Sequence, residues 1–225
     1  EEVLNRELSK LLQEDIKIIG ASRTDSGVHA LGNVAVFDTQ TRIPPEKISF
    51  ALNQRLPDDI RIQESCQVAD DFHPRFCDTI KTYEYRIWND KFPNPLVRLY
   101  SKFCYFNVDV AKMEQAAAYL VGEHDFKSFC TPRTQVESTV RTVTEISFRT
   151  EGKMIIMTIR GTGFLYNMVR IIMGTLLKCG MNMYPPEHVK EILEAKDRQK
   201  AGPKVPPEGG SRSESGSVWT AVGWN

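Results

Sequence analysis

The sequence lacks several features that would place a protein in a specialised class. Its five cysteines are odd in number and form no C-x-x-C pair, so a disulfide framework or a structural zinc site is disfavoured and reduced thiols in the cytoplasm are expected. The four histidines are scattered without metal-ligand spacing, which predicts no metal site. No apolar run is long enough to span a bilayer and no signal peptide opens the chain, which predicts no membrane association.

An excess of charge of one sign is also missing. The 29 basic residues balance the 29 acidic residues, so the net charge is zero. Because phosphates are contacted by Lys and Arg, this balance argues against a chain that is basic throughout, although it leaves room for one basic face. With 225 residues, 41% of them hydrophobic, the chain can form one large domain or two small ones around a buried core.

Helical and strand patterns alternate along the chain. Residues 1–12 and Phe164–Lys178 have apolar residues at helical spacing, whereas Lys81–Trp88 alternate as a half-buried strand does. No strand has the long apolar run of a parallel sheet. The patterns predict an α+β fold with two subdomains of mixed or antiparallel sheets flanked by helices, at residues 1–80 and 81–225. Strands are also predicted at 33–39, 60–62, 139–149 and 153–160, and a loop rich in Gly, Pro and Ser at 202–216.

The densest polar cluster is GASRTDSGVHA, from Gly20 to Ala30, between two apolar strands. In isolation, Asp25 and Ser26 are typical turn residues whose side chains bond their own backbone, and His29 is typical of a structural histidine. The alternative is a functional loop, since catalytic groups often lie on loops held by a rigid scaffold.

A second cluster, KTYEYR at Lys81–Arg86, places Tyr83 and Tyr85 on the same side of a predicted strand. Aromatic residues are common in strands because they pack well on a pleated surface. The functional alternative is a platform on which nucleobases stack.

The third cluster is GTGFLYNMVR, from Gly161 to Arg170, where a strand is followed by a glycine-rich turn and a helix. An anion site at a helix N-terminus is one interpretation, but the lysine of a P-loop and the third glycine of a dinucleotide site are missing. Arg170 stands in an otherwise apolar helix, where its stem could extend along the surface or its guanidinium could pair with a carboxylate.

These clusters together resemble the tRNA pseudouridine synthase A family. GASRTDSGVHA resembles that family's G-x-G-R-T-D-A-G-V-H-A motif, KTYEYRIW its K-x-Y-x-Y-x-I segment, and GTGFLYNMVRIIMGTLL its F-L-x-x-M-V-R-x-I-x-G segment. GEHDFKSF at 122–129 and TVRTV at 139–143 also fit, in the family's order. The resemblance extends from residue 1 to about residue 209.

The resemblance implies a role for each matching residue. Asp25 would be the catalytic aspartate, Tyr83 the tyrosine that packs on the target base, and Arg170 the arginine that pairs with the aspartate. The residues implied to bind substrate are Arg23, His29, Phe164 and Leu165, of which Arg23 would hold the flipped nucleotide and Leu165 would line the uracil pocket.

The implied reaction is isomerisation of uridine to pseudouridine at positions 38, 39 and 40 of the tRNA anticodon arm. The family implies a homodimer without metal or cofactor, in which two subdomains surround a positively charged RNA-binding cleft and the first subdomain carries the Asp25 loop. The target base must be flipped out of its stack, and a carboxylate can act as covalent nucleophile. Attack at C6 of the base, attack at C1′ of the sugar and a glycal route all remain open. Either Tyr83 or Asp25 could remove the proton from C5.

Two departures from the family pattern bear on function. The family begins with a strand and a Y-D-G-x-x-F-x-G-W-Q-x-Q region, so the resemblance implies an N-terminally shortened chain without that first strand. Towards the C-terminus, the family pattern at 201–209 is followed by GSRSESGS at 210–217, either a flexible loop or a sequence artefact, before a candidate final strand at 218–225. A non-catalytic tRNA-binding module and a synthase for another tRNA position are therefore the alternatives.

Overall fold

The computed structural model describes residues 1–21, 24–75, 80–132, 136–215 and 221–224. The helices are α1 (Glu2–Leu12), α2 (Pro45–Asn53), α3 (Val110–Ala118), α4 (Met168–Gly180) and α5 (His188–Ala195). The strands are β1 (Ile19–Gly20), β2 (His29–Ala30), β3 (Ala35–Thr39), β4 (Cys66–Gln67), β5 (Ile80–Asn89), β6 (Lys102–Cys104), β7 (Gly122–Asp125), β8 (Val140–Glu151), β9 (Met154–Gly161), β10 (Gly210–Ser215) and β11 (Ala221–Trp224). The predicted α+β class is confirmed.

The chain packs as two compact units. The first contains the described parts of residues 1–23, 32–78 and 216–225, and the second those of residues 24–31 and 79–215. Residues 24–31, which include Asp25, thus pack with the second unit although the sequence around them belongs to the first. The predicted division into domains at residue 80 stays a prediction.

The first unit is a small mixed sheet with two helices. Its strands are ordered β1-β3-β11-β4, with β1 antiparallel to β3 and β11 parallel to both of its neighbours. Helices α1 and α2 contribute to its apolar core, which consists of Leu8, Leu12, Ile16, Ile18, Phe37, Ile48, Leu52 and Leu56. Polar side chains of α1 hold the chain that leads into β1, since Ser9 Oγ and Asn5 Oδ1 accept hydrogen bonds from the amides of Ile16 and Ile18, each over 2.9 Å.

The second unit is built on a seven-stranded sheet ordered β2-β10-β5-β9-β8-β7, with β6 paired to β5. The β10–β2 and β5–β6 pairs are parallel, and the other pairs are antiparallel. Helices α3, α4 and α5 supply apolar side chains to a single core with β5, β8 and β9. Eleven of the thirteen residues of α4 are buried, which explains why its sequence is apolar around most of its circumference.

The chain after α5 crosses α4 closely at a glycine. A Cβ at Gly174 would lie 1.8 Å from the carbonyl oxygen of Pro203, so only glycine permits this approach. The crossing segment is held by Thr175 Oγ1, which accepts a hydrogen bond of 2.9 Å from the amide of Gly202. As a result residues 202–206 run beside the first half of α4, where Arg170 lies.

Three predictions about elements were wrong. The predicted strand at 60–62 is not formed, because the side chain of Asn53 binds both the amide and the carbonyl of Ile62, each over 2.8 Å. The predicted helix at Phe164–Lys178 begins only at Met168, since Asn167 adopts a left-handed conformation with φ of 62°. The predicted loop at 202–216 contains strand β10 at Gly210–Ser215, which is paired on both sides, to β2 and to β5.

Within the part of the chain that the structure describes, none of the helices combines the length and the apolar composition needed to cross a membrane.

Candidate active site

Asp25 lies in a tight turn of the second unit. The amide of Val28 donates to the carbonyl of Asp25 over 3.0 Å, and Gly27 between them has φ of 83°. A Cβ at Gly27 would lie 2.9 Å from Cγ of Pro207, so glycine serves both the conformation and the packing here. Beyond the turn, His29 and Ala30 form β2 and pair with Ser211 and Arg212 of β10. The turn is therefore fixed to the sheet and to the segment that crosses α4.

Arg170 pairs with Asp25 across 145 positions of sequence. Its Nη1 donates to Oδ2 of Asp25 over 2.8 Å, and the side chains of Arg170 and Asp25 are 12% and 19% exposed. A hydrogen bond between charged groups this far from water is short and strong, and it fixes the orientation of the carboxylate. The cation in the apolar stripe of α4 thus has a carboxylate partner, as one of the two interpretations of Arg170 required.

Two further contacts hold the guanidinium of Arg170 in place. Nε donates to the carbonyl of Val205 over 2.8 Å, and Nη1 also donates to Oδ1 of Asn167 over 3.1 Å. The amide of Asn167 is itself oriented, since Nδ2 donates to Oγ1 of Thr131 over 2.7 Å. The guanidinium is therefore held by three acceptors from different parts of the chain, and the position of the Asp25 carboxylate is built into the fold.

Tyr83 lies on β5 with its ring next to that of Phe164, at 5.1 Å between centroids and an angle of 77°. The guanidinium carbon of Arg212, its partner in register on β10, is 5.9 Å from the centroid of the Tyr83 ring. Burial raises the pKa of Tyr83 above its ordinary value; the charge of Arg212 opposes this increase and that of Asp25 adds to it. The phenol is consequently protonated at neutral pH.

The other predicted site residues have different surroundings. Leu165 is buried in the core of the second unit, and Phe164 is partly buried against it. His29 donates from Nε2 to the carbonyl of Leu99 over 2.8 Å, and its ring stacks on that of Tyr100 at 4.7 Å. Arg23 lies outside the described residues. Asp25, Arg170, Tyr83 and Phe164 are thus brought to one region, whereas the ring of His29 is directed to residues 99 and 100.

Several cations surround the Tyr83 end of β5. Burial lowers the pKa of Lys81, and the charges of Arg212 and Arg141 lower it further. Arg212 is fully buried, and burial also lowers its pKa while the nearby Tyr83 opposes that change. The region therefore has a local excess of positive charge that the zero net charge of the chain does not reveal. Such a local field attracts an anionic substrate.

No group of three or more His, Cys, Asp or Glu side chains that could hold a metal ion occurs among the described residues.

Sequence reasoning missed three residues of this site. Asn167 and Val205 hold Arg170, and Arg212 approaches Tyr83. A sequence signal existed only for Asn167, because asparagine before an apolar helix is a common capping residue. Val205 acts through its backbone, and Arg212 lies in the stretch that was predicted to be a loop.

Comparisons with known proteins agree with this site. The family described as tRNA pseudouridine synthase matches residues 1–77 and 116–213. The tRNA pseudouridine synthase A 2 of Clostridium perfringens is 47% identical over 202 residues, which cover 90% of this chain and 83% of the relative. The tRNA pseudouridine synthase A of Thermoanaerobacter sp. is 44% identical over 209 residues, covering 93% and 86%. That of Bacillus subtilis is 44% identical over 198 residues, covering 88% and 80%.

An α+β fold with a carboxylate fixed by a buried arginine defines a class of enzyme rather than a passive binding domain. The chain belongs to the tRNA pseudouridine synthase family, as the sequence motifs predicted. It is accordingly an isomerase that acts on tRNA.

Proposed function

We propose that this enzyme isomerises uridine to pseudouridine at positions 38, 39 and 40 of the tRNA anticodon stem-loop, with Asp25 as the nucleophile. The observation that carries this proposal is the 2.8 Å ion pair between Asp25 and Arg170, which lies in the turn formed by the family's aspartate motif. A carboxylate that is held by a positioned arginine is ionised and oriented, as covalent catalysis requires.

The two carboxylate oxygens of Asp25 have different tasks. Oδ2 accepts the hydrogen bond from Arg170, whereas no hydrogen bond from the described residues reaches Oδ1. We assign the attack to Oδ1, because it can approach the substrate while Oδ2 keeps the carboxylate in orientation. In the overall reaction the N1–C1′ bond breaks, a C5–C1′ bond forms, C5 loses its proton and N1 is left with one.

Tyr83 packs against the flipped base in this proposal. A nucleobase can stack on an aromatic ring, and stacking offsets part of the cost of leaving the RNA stack. Because the pKa of Tyr83 is raised, the neutral phenol is a poor base and a good hydrogen-bond donor. We therefore assign removal of the C5 proton to Asp25 and a donor role to Tyr83.

The remaining substrate contacts are proposed from the family motifs and the local charge. Phe164 extends the aromatic wall beside Tyr83, and Leu165 supports it from the core. Arg23 and His29 are proposed to bind the nucleotide on the side of the Asp25 turn. The cations Lys81, Arg141 and Arg212 favour the approach of the phosphate backbone.

The test is product mapping on unmodified tRNA transcripts that carry uridine at position 38, 39 or 40. Pseudouridine is located by carbodiimide labelling and primer extension, for the wild type and for Asp25→Asn. Asp15→Asn is the matched control, because the Asp15 side chain is 86% exposed in the first unit. We expect product with the wild type and the control but none with Asp25→Asn, which should still bind tRNA.

Other outcomes would change the proposal. Normal turnover by Asp25→Asn would refute the assignment of the nucleophile. Product at a different uridine would keep the chemistry and refute the site on tRNA. Binding without product by the wild type would favour the non-catalytic module.

We also propose a homodimer in the cytoplasm, as the family resemblance implies. Sedimentation equilibrium of the chain, with and without tRNA, tests the dimer, and a mass of one chain at all concentrations would refute it. Fractionation of the source cells tests the location.

A further inference from the structure

Residues 91–106 form a segment of unusual composition in a chain of zero net charge. The segment reads KFPNPLVRLYSKFCYF, with three basic residues and no acidic one. It lies between the two stretches that the family model matches, 1–77 and 116–213. Its local charge is positive and its content of aromatic rings is high.

Most of its large apolar side chains are exposed. They are Phe92, Leu96, Leu99, Tyr100, Tyr105 and Phe106, with exposed fractions from 49% to 88%. A single exposed apolar residue needs no explanation, but six within 15 positions indicate a surface that another molecule covers.

The exposed rings are held in place by the sheet. Asn89 Nδ2 at the end of β5 donates to the carbonyls of Cys104 and Phe106, over 2.9 Å and 2.7 Å. Trp88 Nε1 donates to the carbonyl of Phe92 over 3.0 Å, and β6 pairs with β5. An ordered framework that keeps apolar rings in water loses stability compared with one that buries them, unless the rings meet a partner.

The segment is joined to the Asp25 turn by His29. The Nε2–H of His29 donates to the carbonyl of Leu99, and its ring stacks on Tyr100 with an interplanar angle of 27°. One face of the Tyr100 ring is therefore supported, while the side chain stays 52% exposed. His29 follows Asp25 by four positions, so this ring is connected to the candidate nucleophile through a short, hydrogen-bonded turn.

We infer that residues 91–106 are a second RNA-contacting surface, on which Tyr100 stacks a base near the target nucleotide while Lys91 and Arg98 contact phosphates. The proposed function supplies the identity of the RNA as tRNA. Exposed aromatic rings among cations fit RNA, because bases stack on the rings and phosphates pair with the cations. A second copy of the chain fits less well, since two such surfaces would bring like charges together. In this arrangement His29 is a positioning residue for Tyr100.

The test measures tRNA affinity of the full chain at several salt concentrations, for variants of this surface. Tyr100→Ala should raise Kd about 5- to 150-fold, the range expected for losing one stacked base, and Tyr100→Phe should restore most of the affinity. Arg98→Gln should weaken binding and lower the slope of log K against log salt by about 0.7–0.9. Tyr119→Ala is the matched control, as Tyr119 is also exposed in the second unit but lies outside the segment.

Amide hydrogen exchange of the wild type is an independent measurement, which remains valid if Tyr100→Ala does not fold. Slower exchange of residues 91–106 when tRNA is added supports the inference, and unchanged exchange refutes it. Unchanged Kd for a folded Tyr100→Ala also refutes it. If Tyr100→Ala and Arg98→Gln convert a dimer to a monomer without tRNA, the surface joins two copies and the inference fails.

Asp25→Asn separates this inference from the proposed function, because binding needs no turnover. If the wild type makes no pseudouridine at 38–40 but Tyr100→Ala still weakens tRNA binding, the proposed function fails and the surface stands. If the wild type makes the product and Tyr100→Ala has the same Kd and KM, the surface fails and the proposed function stands.

Discussion

Replacement of Arg170 tests how the fold positions the Asp25 carboxylate. Methionine preserves much of the apolar stem and removes the guanidinium with its bonds to Asp25, Asn167 and Val205. Three acceptors then lose their donor where the carboxylate is only 19% exposed. Breaking a pair that is largely shielded from water costs about 3–5 kcal/mol, because one charge stays behind without its partner.

The expected effects of Arg170→Met follow from that magnitude. A loss of about 3–5 kcal/mol lowers the Tm by roughly 6–20 °C for a chain of this size. Loss of a preorganised charged contact should lower kcat by about 100-fold or more. Arg170→Lys keeps the charge but has no planar fork to reach several acceptors, so it should retain part of the stability and part of the activity.

The assay is a double-mutant cycle on stability, measured by urea unfolding of the wild type, Asp25→Asn, Arg170→Met and the double variant. A charged hydrogen bond between the two side chains predicts a coupling energy of about 1.5–3 kcal/mol. A coupling energy below about 0.5 kcal/mol would show that the pair contributes little to the fold, and the positioning argument would then be wrong.

Two further predictions concern the Asp25 turn and Tyr83. Gly27→Ala should cost about 1–3 kcal/mol from its positive φ, and more from the 2.9 Å approach to Pro207, and it should reduce product formation. The control Gly152→Ala has φ of 60° and open space around it, so urea unfolding should show a smaller loss and activity should be unchanged. Tyr83 has a raised pKa in the folded state, so the unfolded chain releases this proton first and stability falls as the pH rises above about 10. Tyr83→Phe should therefore lose less stability than the wild type between about pH 9 and 11.5, and an identical pH dependence would contradict the burial argument.

Sequence patterns predicted the regular elements of the second unit well where periodicity was long. The strand at Lys81–Trp88 lies inside β5, because alternating polarity reports a strand with one face in the core. The helix around Arg170 was also predicted, but its start was not. Asn167 takes a left-handed conformation so that its side chain can bind Arg170 and Thr131, and such tertiary contacts leave no periodic signal.

Composition misled the prediction for residues 210–215. Gly, Ser and Pro are typical of loops, yet these residues form β10, since strand preference depends on the neighbouring strands more than on the residue itself. The carbonyl of Gly209 accepts from the amide of Arg86, and the pairing with β5 continues from Gly210 to Ser215. Backbone pairing of this kind is set by the rest of the fold and is invisible in a single sequence.

The pairing of Asp25 with Arg170 is suggested by the residues alone, but they do not establish it. A cation in an apolar helix indicates a buried acidic partner, and the family motifs supplied the candidate. The backbone acceptor at Val205 could not be predicted, because every residue has a carbonyl.

The position of β10 in the chain has a consequence for the birth of the enzyme on the ribosome. The strand that follows the Asp25 turn pairs with Ser211 and Arg212, about 180 residues later, which at 5–20 residues per second are synthesised roughly 10–40 s afterwards. During that time β2 has no such neighbour, and the carbonyl of Arg212 cannot yet accept from Leu31. The catalytic turn is therefore among the last parts to be locked, and a chain that stops short of residue 210 would keep most of its core while lacking an ordered site.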